Sequence, residues 1–147
     1  MAVSAKTEYD VQAPLPVVME LLMDVESLPD WSGPHKSAEI LDEYDDGAPK
    51  RVKIAVSMGP ITDEQVIEYT WTENSCTWDL VEATQLSQQH GEYHLSEGPN
   101  GTTHVEFELS VDLKVKLPGL LLRQAQKVAV ETSKKGVSAE AKRRAAQ

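Results

Sequence analysis

The sequence predicts an α+β fold, in which one curved antiparallel sheet of seven strands wraps around a long C-terminal helix. Three observations support this prediction. The segments occur in the order strand, short helical pair, six strands and long helix. The six strands are joined by short connections, which require antiparallel neighbours. No internal repeat or linker divides the 147 residues, so we expect a single domain over residues 1–147.

The N-terminal elements are a strand and two short helical segments. Residues 4–12, SAKTEYDVQ, alternate in polarity and place Tyr9 and Val11 on one face, as a strand does. Residues 13–25 begin with prolines that suit a first helical turn and continue with apolar residues at helical spacing. Pro29 disfavours helical geometry at Leu28. We therefore expect the helix to end or break there, with SLPDWSGP forming a short helical turn or a loop.

Six further strands are predicted between His35 and Lys114. Alternating segments occupy residues 36–44, 50–58, 61–72, 76–82, 84–95 and 103–114. Gly, Pro and Asn stand between them, where hairpin turns need them. In the last strand Val105 and Phe107 share the inward face. Turning Tyr93 to the same side requires a loop of three or five residues between the last two strands, because alternation has a period of two.

The chain closes with a long amphipathic segment. Leu121, Ala125, Val128 and Thr132 lie on one side at helical spacing. A helix of about 28 residues runs about 42 Å, whereas a ten-residue strand spans about 33 Å. The helix should therefore extend beyond the sheet, and we expect residues 141–147 to be a frayed tail.

Polar residues interrupt the inward face of the predicted sheet. Alternation turns Asp63, Gln65, Ser87 and Gln89 inward, together with apolar and aromatic residues. Burying an unpaired amide in a filled core costs about 1–3 kcal/mol, so such residues are uncommon there. A wet cavity accepts them, because water can bond the amide groups. A curved sheet under one helix also encloses spare volume. The pattern favours an apolar cavity with a few polar anchors; the alternative is that these strand ends extend past the helix into solvent.

Two segments resemble a known group of proteins: APLPVVMELLMDVESLPDW before the strands, and GEYHL with NGTTHVEFELSVDL before the last helix. They resemble the START-like superfamily, and within it the polyketide cyclase/dehydrase and lipid-transport group, which includes coenzyme Q-binding START domains. The resemblance covers nearly the whole chain. It implies a helix-grip fold with a cavity between sheet and helix, and it places Trp31 at or near the cavity entrance, although Trp31 could equally plug the core.

The inward face of the sheet and this resemblance together predict the ligand-binding residues. They are Trp31, Val56, Met58, Gln65, Ile67, Tyr69, Trp78, Gln89, Tyr93, Phe107, Leu121 and Val128. We expect no catalytic residues, metal ligands or cofactor, because no carboxylate pair, Ser-His-Asp order, phosphate loop or CxxC motif occurs. His90, His94 and His104 should face outward, and His35 is the one histidine near the expected entrance.

Charge divides the chain into an acidic body and a basic end. The net charge is −10, made of −17 over the first 113 residues and +7 from Lys114 onward. The acidic body argues against nucleic-acid binding. The basic end permits transient contact with a membrane or another anionic surface, or it is simply a solvated helix face. No segment resembles a membrane span or a signal peptide, so we expect a cytoplasmic protein.

Three functions agree with these observations. The favoured one is binding of a hydrophobic small molecule, such as a lipid, a quinone or a polyketide-like compound, by a carrier or sensor. The first alternative is a polyketide aromatase/cyclase-dehydrase that uses the same cavity, with Tyr69, Tyr93 and His35 as candidate groups. The second is an interaction module that docks through the basic C-terminal helix.

Overall fold

A computed structural model describes residues 2–58 and 61–147; the side chains of Met58 and Ile61 lie outside this description. The strands of the described chain are β1 (Ala2–Val11), β2 (His35–Glu43), β3 (Pro49–Met58), β4 (Ile61–Trp71), β5 (Ser75–Ala83), β6 (Leu86–Glu97) and β7 (Thr103–Leu113). Its α-helices are α1 (Leu15–Met23), α2 (Leu28–Trp31), α3 (Gly119–Glu131) and α4 (Ser138–Ala145). The predicted α+β class and element order are confirmed.

All seven strands form one antiparallel sheet in the order β1-β7-β6-β5-β4-β3-β2. The two edge strands, β1 and β2, are neighbours in sequence, so the chain between them, which holds α1 and α2, crosses from one edge to the other. Tyr93 pairs with Phe107, and Glu97 with Thr103. The loop between β6 and β7 therefore has five residues, 98–102, one of the two lengths that alternation allows.

The first helices follow the prolines. Pro14 caps α1 in extended geometry and Pro16 stands in its first turn, where a missing N–H breaks no helical hydrogen bond. The expectation of extended geometry at Leu28 was wrong, because Leu28 is helical, with φ −47° and ψ −45°. It begins α2, so Pro29 lies in a first turn and its ring meets no preceding turn of the same helix.

A π-helix, Thr132–Val137, joins α3 to α4 and changes how the C-terminal segment packs. Before it, α3 contains no buried residue. Within it Ser133 and Val137 are buried, and Ala141 of α4 follows at the same spacing of four residues. A π-helix inserts one extra residue into the helical repeat. The buried residue is accordingly Ser133, one position after the predicted Thr132.

The C-terminal tail is more ordered than the sequence suggested. Helix α4 continues to Ala145 and buries Ala141, so the expectation of fraying from residue 141 is corrected. The guanidinium of Arg144 donates a hydrogen bond to Asp24 at 2.9 Å and another to Glu140 at 3.1 Å. The bond to Asp24 holds the last helix against the end of α1, a long-range contact that helical periodicity does not reveal, and the bond to Glu140 orients the guanidinium within α4.

Gly136 lies where the π-helix meets α2. A β-carbon there would lie 2.6 Å from the carbonyl oxygen of Trp31 and 2.8 Å from its Cε3. Only glycine therefore lets these two helical segments approach so closely, and this contact fixes the indole of Trp31.

We expect Gly136→Ala to lower the free energy of unfolding by about 1–2 kcal/mol, because overpacking exceeds the gain in helix propensity. Urea unfolding of the wild type and the variant measures this difference. Gly119→Ala is the matched control, since its β-carbon would come no closer than 3.7 Å to a neighbour, the Arg123 guanidinium. Equal losses in both variants would contradict the proposed contact.

Candidate functional site

A cavity of about 490 Å³ lies between the inner face of the sheet and α3. This volume falls within the range of small-molecule sites, about 300–1,000 Å³. The space exists because α3 contains no fully buried residue: even Leu122, which packs against a second core cluster, remains half-buried. Its cavity-facing Leu121 and Ala125 remain half-buried, and Val128 is 44% exposed.

Eleven of the twelve predicted ligand-binding residues line this cavity. They are Trp31, Val56, Gln65, Ile67, Tyr69, Trp78, Gln89, Tyr93, Phe107, Leu121 and Val128. The twelfth, Met58, has a side chain outside the described residues. Strand alternation brings the sheet residues together, and α2 and α3 supply the other three. That they bind a ligand remains a prediction.

A row of aromatic rings crosses four strands along the inner face. Trp71 and Tyr69 stack with centroids 5.1 Å apart, and Trp78 follows 5.8 Å from Tyr69. Tyr93 lies 5.8 Å from Trp78, and Phe107 lies 4.9 Å from Tyr93. The tilted, offset contacts are those that aromatic pairs favour. Four of the five rings, from Tyr69 to Phe107, line the cavity and give it a broad apolar surface.

The two inward glutamines are buried and hydrogen-bonded, Gln65 with 3% and Gln89 with 8% of its surface exposed. The indole N–H of Trp78 donates to Gln89 Oε1 at 3.0 Å, and Gln89 Nε2 donates to Gln65 Oε1 at 2.8 Å. Gln65 Nε2 in turn donates to Asp63 Oδ2 at 3.4 Å. Contrary to the expectation from the sequence, these amides need no cavity water, because neighbouring side chains satisfy them.

Asp63 ends this chain of hydrogen bonds at the hairpin between β5 and β6. Its carboxylate accepts the backbone N–H of Thr84 at 3.0 Å and that of Gln85 at 3.1 Å. Its charge is thus directed at the backbone, and Asp63 is not part of the cavity lining. Ser87 was also expected inward, but it is exposed, because a β-bulge between Leu86 and Gln88 reverses the alternation.

A second polar group joins β1, β6 and the π-helix. The hydroxyl of Ser133 lies 2.8 Å from that of Tyr9 and 2.9 Å from that of Tyr93, and Tyr9 also donates to the Ser133 carbonyl at 3.1 Å. Burial raises the pKa of both phenols, so they remain protonated at neutral pH. Ser133 lines the cavity and was not predicted. Its spacing of four from Val137 and Ala141 was the available signal.

The hydroxyl of Tyr69 differs from these groups. It has no hydrogen-bond partner among residues 2–58 and 61–147, although the side chain lines the cavity and the residue is only 7% exposed. Burial raises its pKa, so the group is a neutral phenol. Among the buried side chains of this part of the chain, no fully enclosed polar atom lacks a partner, which means that the Tyr69 oxygen borders open space.

His35 and Ser32 form a polar pair at the start of β2, and both line the cavity. Ser32 Oγ and His35 Nδ1 lie 2.6 Å apart. Burial lowers the pKa of His35 to about 4, so the imidazole is neutral at pH 7. The other three histidines lie on the outer face, where they bond carboxylates of Asp10, Asp79 and Glu92.

Formal charge is scarce in the cavity lining. Lys127 and Glu131 of α3 are the ionised residues among the described lining residues. Their side chains are 75% and 45% exposed and lie 4.0 Å apart, N to O, in solvent. The aromatic and glutamine surfaces described above therefore enclose a space without a charged side chain.

One group outside the cavity has the composition of a metal site. Potential ligand atoms of Glu8, His104 and Glu106 lie within 4.8 Å of one another on the outer face of the sheet. His104 Nδ1 already lies 2.8 Å from Asp10 Oδ1.

Within the described residues, no helix has the length and apolar character that a membrane crossing requires.

Solved structures similar to this chain share its fold at low identity. A START superfamily protein from Mycobacterium smegmatis has a TM-score of 0.86 and 18% identity, with 95% of this chain and 97% of that chain covered. The Zhui aromatase/cyclase from a Streptomyces species has a TM-score of 0.80 and 18% identity, with 98% and 96% covered. A Thermus thermophilus protein has a TM-score of 0.78 and 21% identity, with 94% and 96% covered.

Sequence comparison identifies the family directly. A search of the curated proteins found no match. The family model described as polyketide cyclase / dehydrase and lipid transport matches residues 11–137, which include every strand from β2 to β7, helices α1 to α3, and the π-helix with Ser133. The chain therefore belongs to the polyketide cyclase/dehydrase and lipid transport family, with the START-like, helix-grip fold.

Proposed function

We propose that this protein binds a hydrophobic small molecule between the sheet and α3, as a carrier or sensor. The cavity carries this proposal, because about 490 Å³ of space faces an aromatic surface and α3 contributes no buried residue to fill it. Membership of a family described by polyketide cyclisation and lipid transport agrees with such a ligand.

Burial supplies the binding energy in this proposal. Removing apolar surface from water contributes about 25 cal/mol per Å², less the cost of immobilising the ligand. The ligand enters past α3, which contacts the sheet chiefly through β1, where Gln126 Nε2 donates to the Ser4 carbonyl at 2.8 Å. Because few side chains fix α3, a small outward movement admits a ligand without disturbing the core.

A substitution that fills the cavity tests this proposal. Ala125 faces the cavity from α3, so Ala125→Trp should place an indole in the ligand's space with little effect on stability. Native mass spectrometry of protein purified from its own host should show a co-purifying ligand in the wild type. We expect at least a tenfold lower occupancy in Ala125→Trp.

Ala139→Trp is the matched control, because Ala139 is exposed on α4 and lies outside the cavity lining. Its occupancy should equal that of the wild type. Equal occupancy in both variants would contradict binding at this site, and a wild-type protein free of any small molecule under native conditions would count against the carrier function itself.

A polyketide aromatase/cyclase is the second candidate, favoured by the Tyr69 hydroxyl that faces open space. Tyr69 and Tyr93 are neutral phenols that can donate to a ketone, and His35 is a neutral imidazole in the same cavity. A base with a pKa of about 4 is a weak proton acceptor at pH 7, so the carrier function is preferred. Turnover of a poly-β-ketone that is lost in Tyr69→Phe, Tyr93→Phe or His35→Ala would reverse this preference.

Docking through the basic C-terminal segment is a weaker proposal. Lys127 and Lys135 pair with Glu131, and Arg143 and Arg144 pair with Glu140. Four of the nine basic residues from Lys114 onward are thus partly neutralised within the chain. Contact with an anionic surface would depend chiefly on the other five.

A further inference from the structure

We infer that the ligand is a flat, uncharged ring compound that presents a carbonyl oxygen to the hydroxyl of Tyr69. This inference rests on the proposed function and narrows it to a chemical class. Three features of the cavity support it: an unpartnered donor, the absence of interior charge, and a second hydroxyl at a matching position across Trp78.

The unpartnered donor is the phenol of Tyr69. In the part of the chain that the structure describes, every other buried tyrosine hydroxyl is bound to Ser133, whereas that of Tyr69 borders the cavity without a partner. A hydroxyl at this position can donate a hydrogen bond to an oxygen of a ligand in the cavity, which adds to the effect of apolar burial. A phenol donates more strongly than it accepts, so a carbonyl oxygen is the complementary group.

The described residues of the cavity lining place no charge in its interior that could balance a ligand charge. Lys127 and Glu131, the ionised residues among the described lining, lie in solvent at the surface of α3. Asp63 is turned toward backbone N–H groups, and the glutamine amides are engaged with each other. A carboxylate or phosphate on the ligand would lose its hydration without gaining a counter-charge, which weakens binding.

The second hydroxyl is that of Tyr93, at the end of the group formed with Ser133 and Tyr9. Tyr9 can donate to the Ser133 carbonyl, which leaves the Ser133 hydroxyl free to donate to Tyr93. Tyr93 then directs its own proton into the cavity, without movement of any heavy atom. The rings of Tyr69 on β4 and Tyr93 on β6 each lie 5.8 Å from the ring of Trp78 on β5, so a flat ligand lying across Trp78 lies beside both tyrosines.

Three probes of nearly equal shape test this inference: fluorenone, fluorene and fluorene carboxylate. Isothermal titration at pH 7 measures the dissociation constant of each. In the wild type we expect fluorenone to bind about fivefold more tightly than fluorene, the effect of one neutral hydrogen bond. Fluorene carboxylate should bind at least about 100-fold more weakly than fluorenone, because its charge has no partner.

Tyr69→Phe should reduce the fluorenone preference to about one, because it removes the donor and keeps the ring. Tyr44→Phe is the matched control: Tyr44 lies outside the cavity lining, where its hydroxyl donates to the Tyr69 carbonyl at 2.6 Å, so the preference should persist. Urea unfolding confirms that both variants remain folded.

The outcomes separate this inference from the proposed function. Equal binding of fluorenone and fluorene by the wild type, an unchanged preference in Tyr69→Phe, or tight binding of the carboxylate would each overturn the inference while the cavity remained a binding site. Failure of all three probes to bind would count against the proposed function and the inference together.

Discussion

Replacing Gly91 with alanine is expected to destabilise the protein by about 3 kcal/mol, an effect at the upper end of overpacking. Gly91 pairs with Trp78 across β5 and β6, and the six-membered ring of Trp78 occupies the space where a side chain at position 91 would lie. A β-carbon there would approach the Cε2 and Cζ2 atoms of Trp78 to 2.0 Å. The indole must move, which breaks its hydrogen bond to Gln89 and its packing against Tyr69 and Tyr93.

A double-mutant cycle with Trp78→Leu isolates this contact. In the Trp78→Leu background the shorter side chain leaves the position open, so Gly91→Ala should cost less than about 1 kcal/mol. Urea unfolding of the four proteins measures the coupling. An equal cost of Gly91→Ala in both backgrounds would show that the steric contact with Trp78 is not its cause. Displacement of Trp78 should also weaken ligand binding, because the ring lies in the middle of the aromatic row.

The period-two alternation was enough to predict most of the sheet and its inward face. It turned Val105 and Phe107 inward, where both are buried, and it restricted the loop between β6 and β7 to two lengths, of which the structure has one. It also turned Gln65 and Gln89 inward correctly. These successes share a cause. Each depends on the alternation within one strand or on the pairing of two strands joined by a short loop, and both are encoded by short-range sequence patterns.

The features that the sequence did not predict depend on contacts between distant segments. The partners of Gln65 are Asp63 and Gln89, and the latter comes from another strand, so the burial of the amides was predicted and their pairing was not. Ser133, one residue after the predicted Thr132, meets Tyr9 from within the π-helix. The bulge that turns Ser87 outward likewise changes the alternation at one site. The bulge and the amide pairing leave no periodic signal in the sequence, whereas Ser133 lies at a spacing of four from Val137 and Ala141.

The protein should lose about 2 kcal/mol of stability between pH 7.5 and pH 5 through the titration of His35. Burial lowers the pKa of His35 from its ordinary 6.5 to about 4 in the folded chain. The unfolded chain therefore binds a proton below pH 6.5, whereas the folded chain resists protonation until about pH 4. The contribution is complete above pH 6.5 and declines as the pH falls toward the folded-state pKa.

His35→Asn identifies the source of this pH dependence, because it removes the titrating group and keeps a hydrogen-bonding atom near Ser32. The outward histidines act in the opposite sense: hydrogen bonds that they donate to carboxylates raise the pKa of His90 and His104, so their contribution is present at low pH and is lost as the pH rises. These histidines and the outward carboxylates are present in both the wild type and His35→Asn, so their titration cancels in the comparison. The unfolding free energy of the wild type minus that of the variant should therefore fall by about 2 kcal/mol from pH 7.5 to pH 5. A difference that stays constant over this range would show that His35 is accessible to protons in the folded protein.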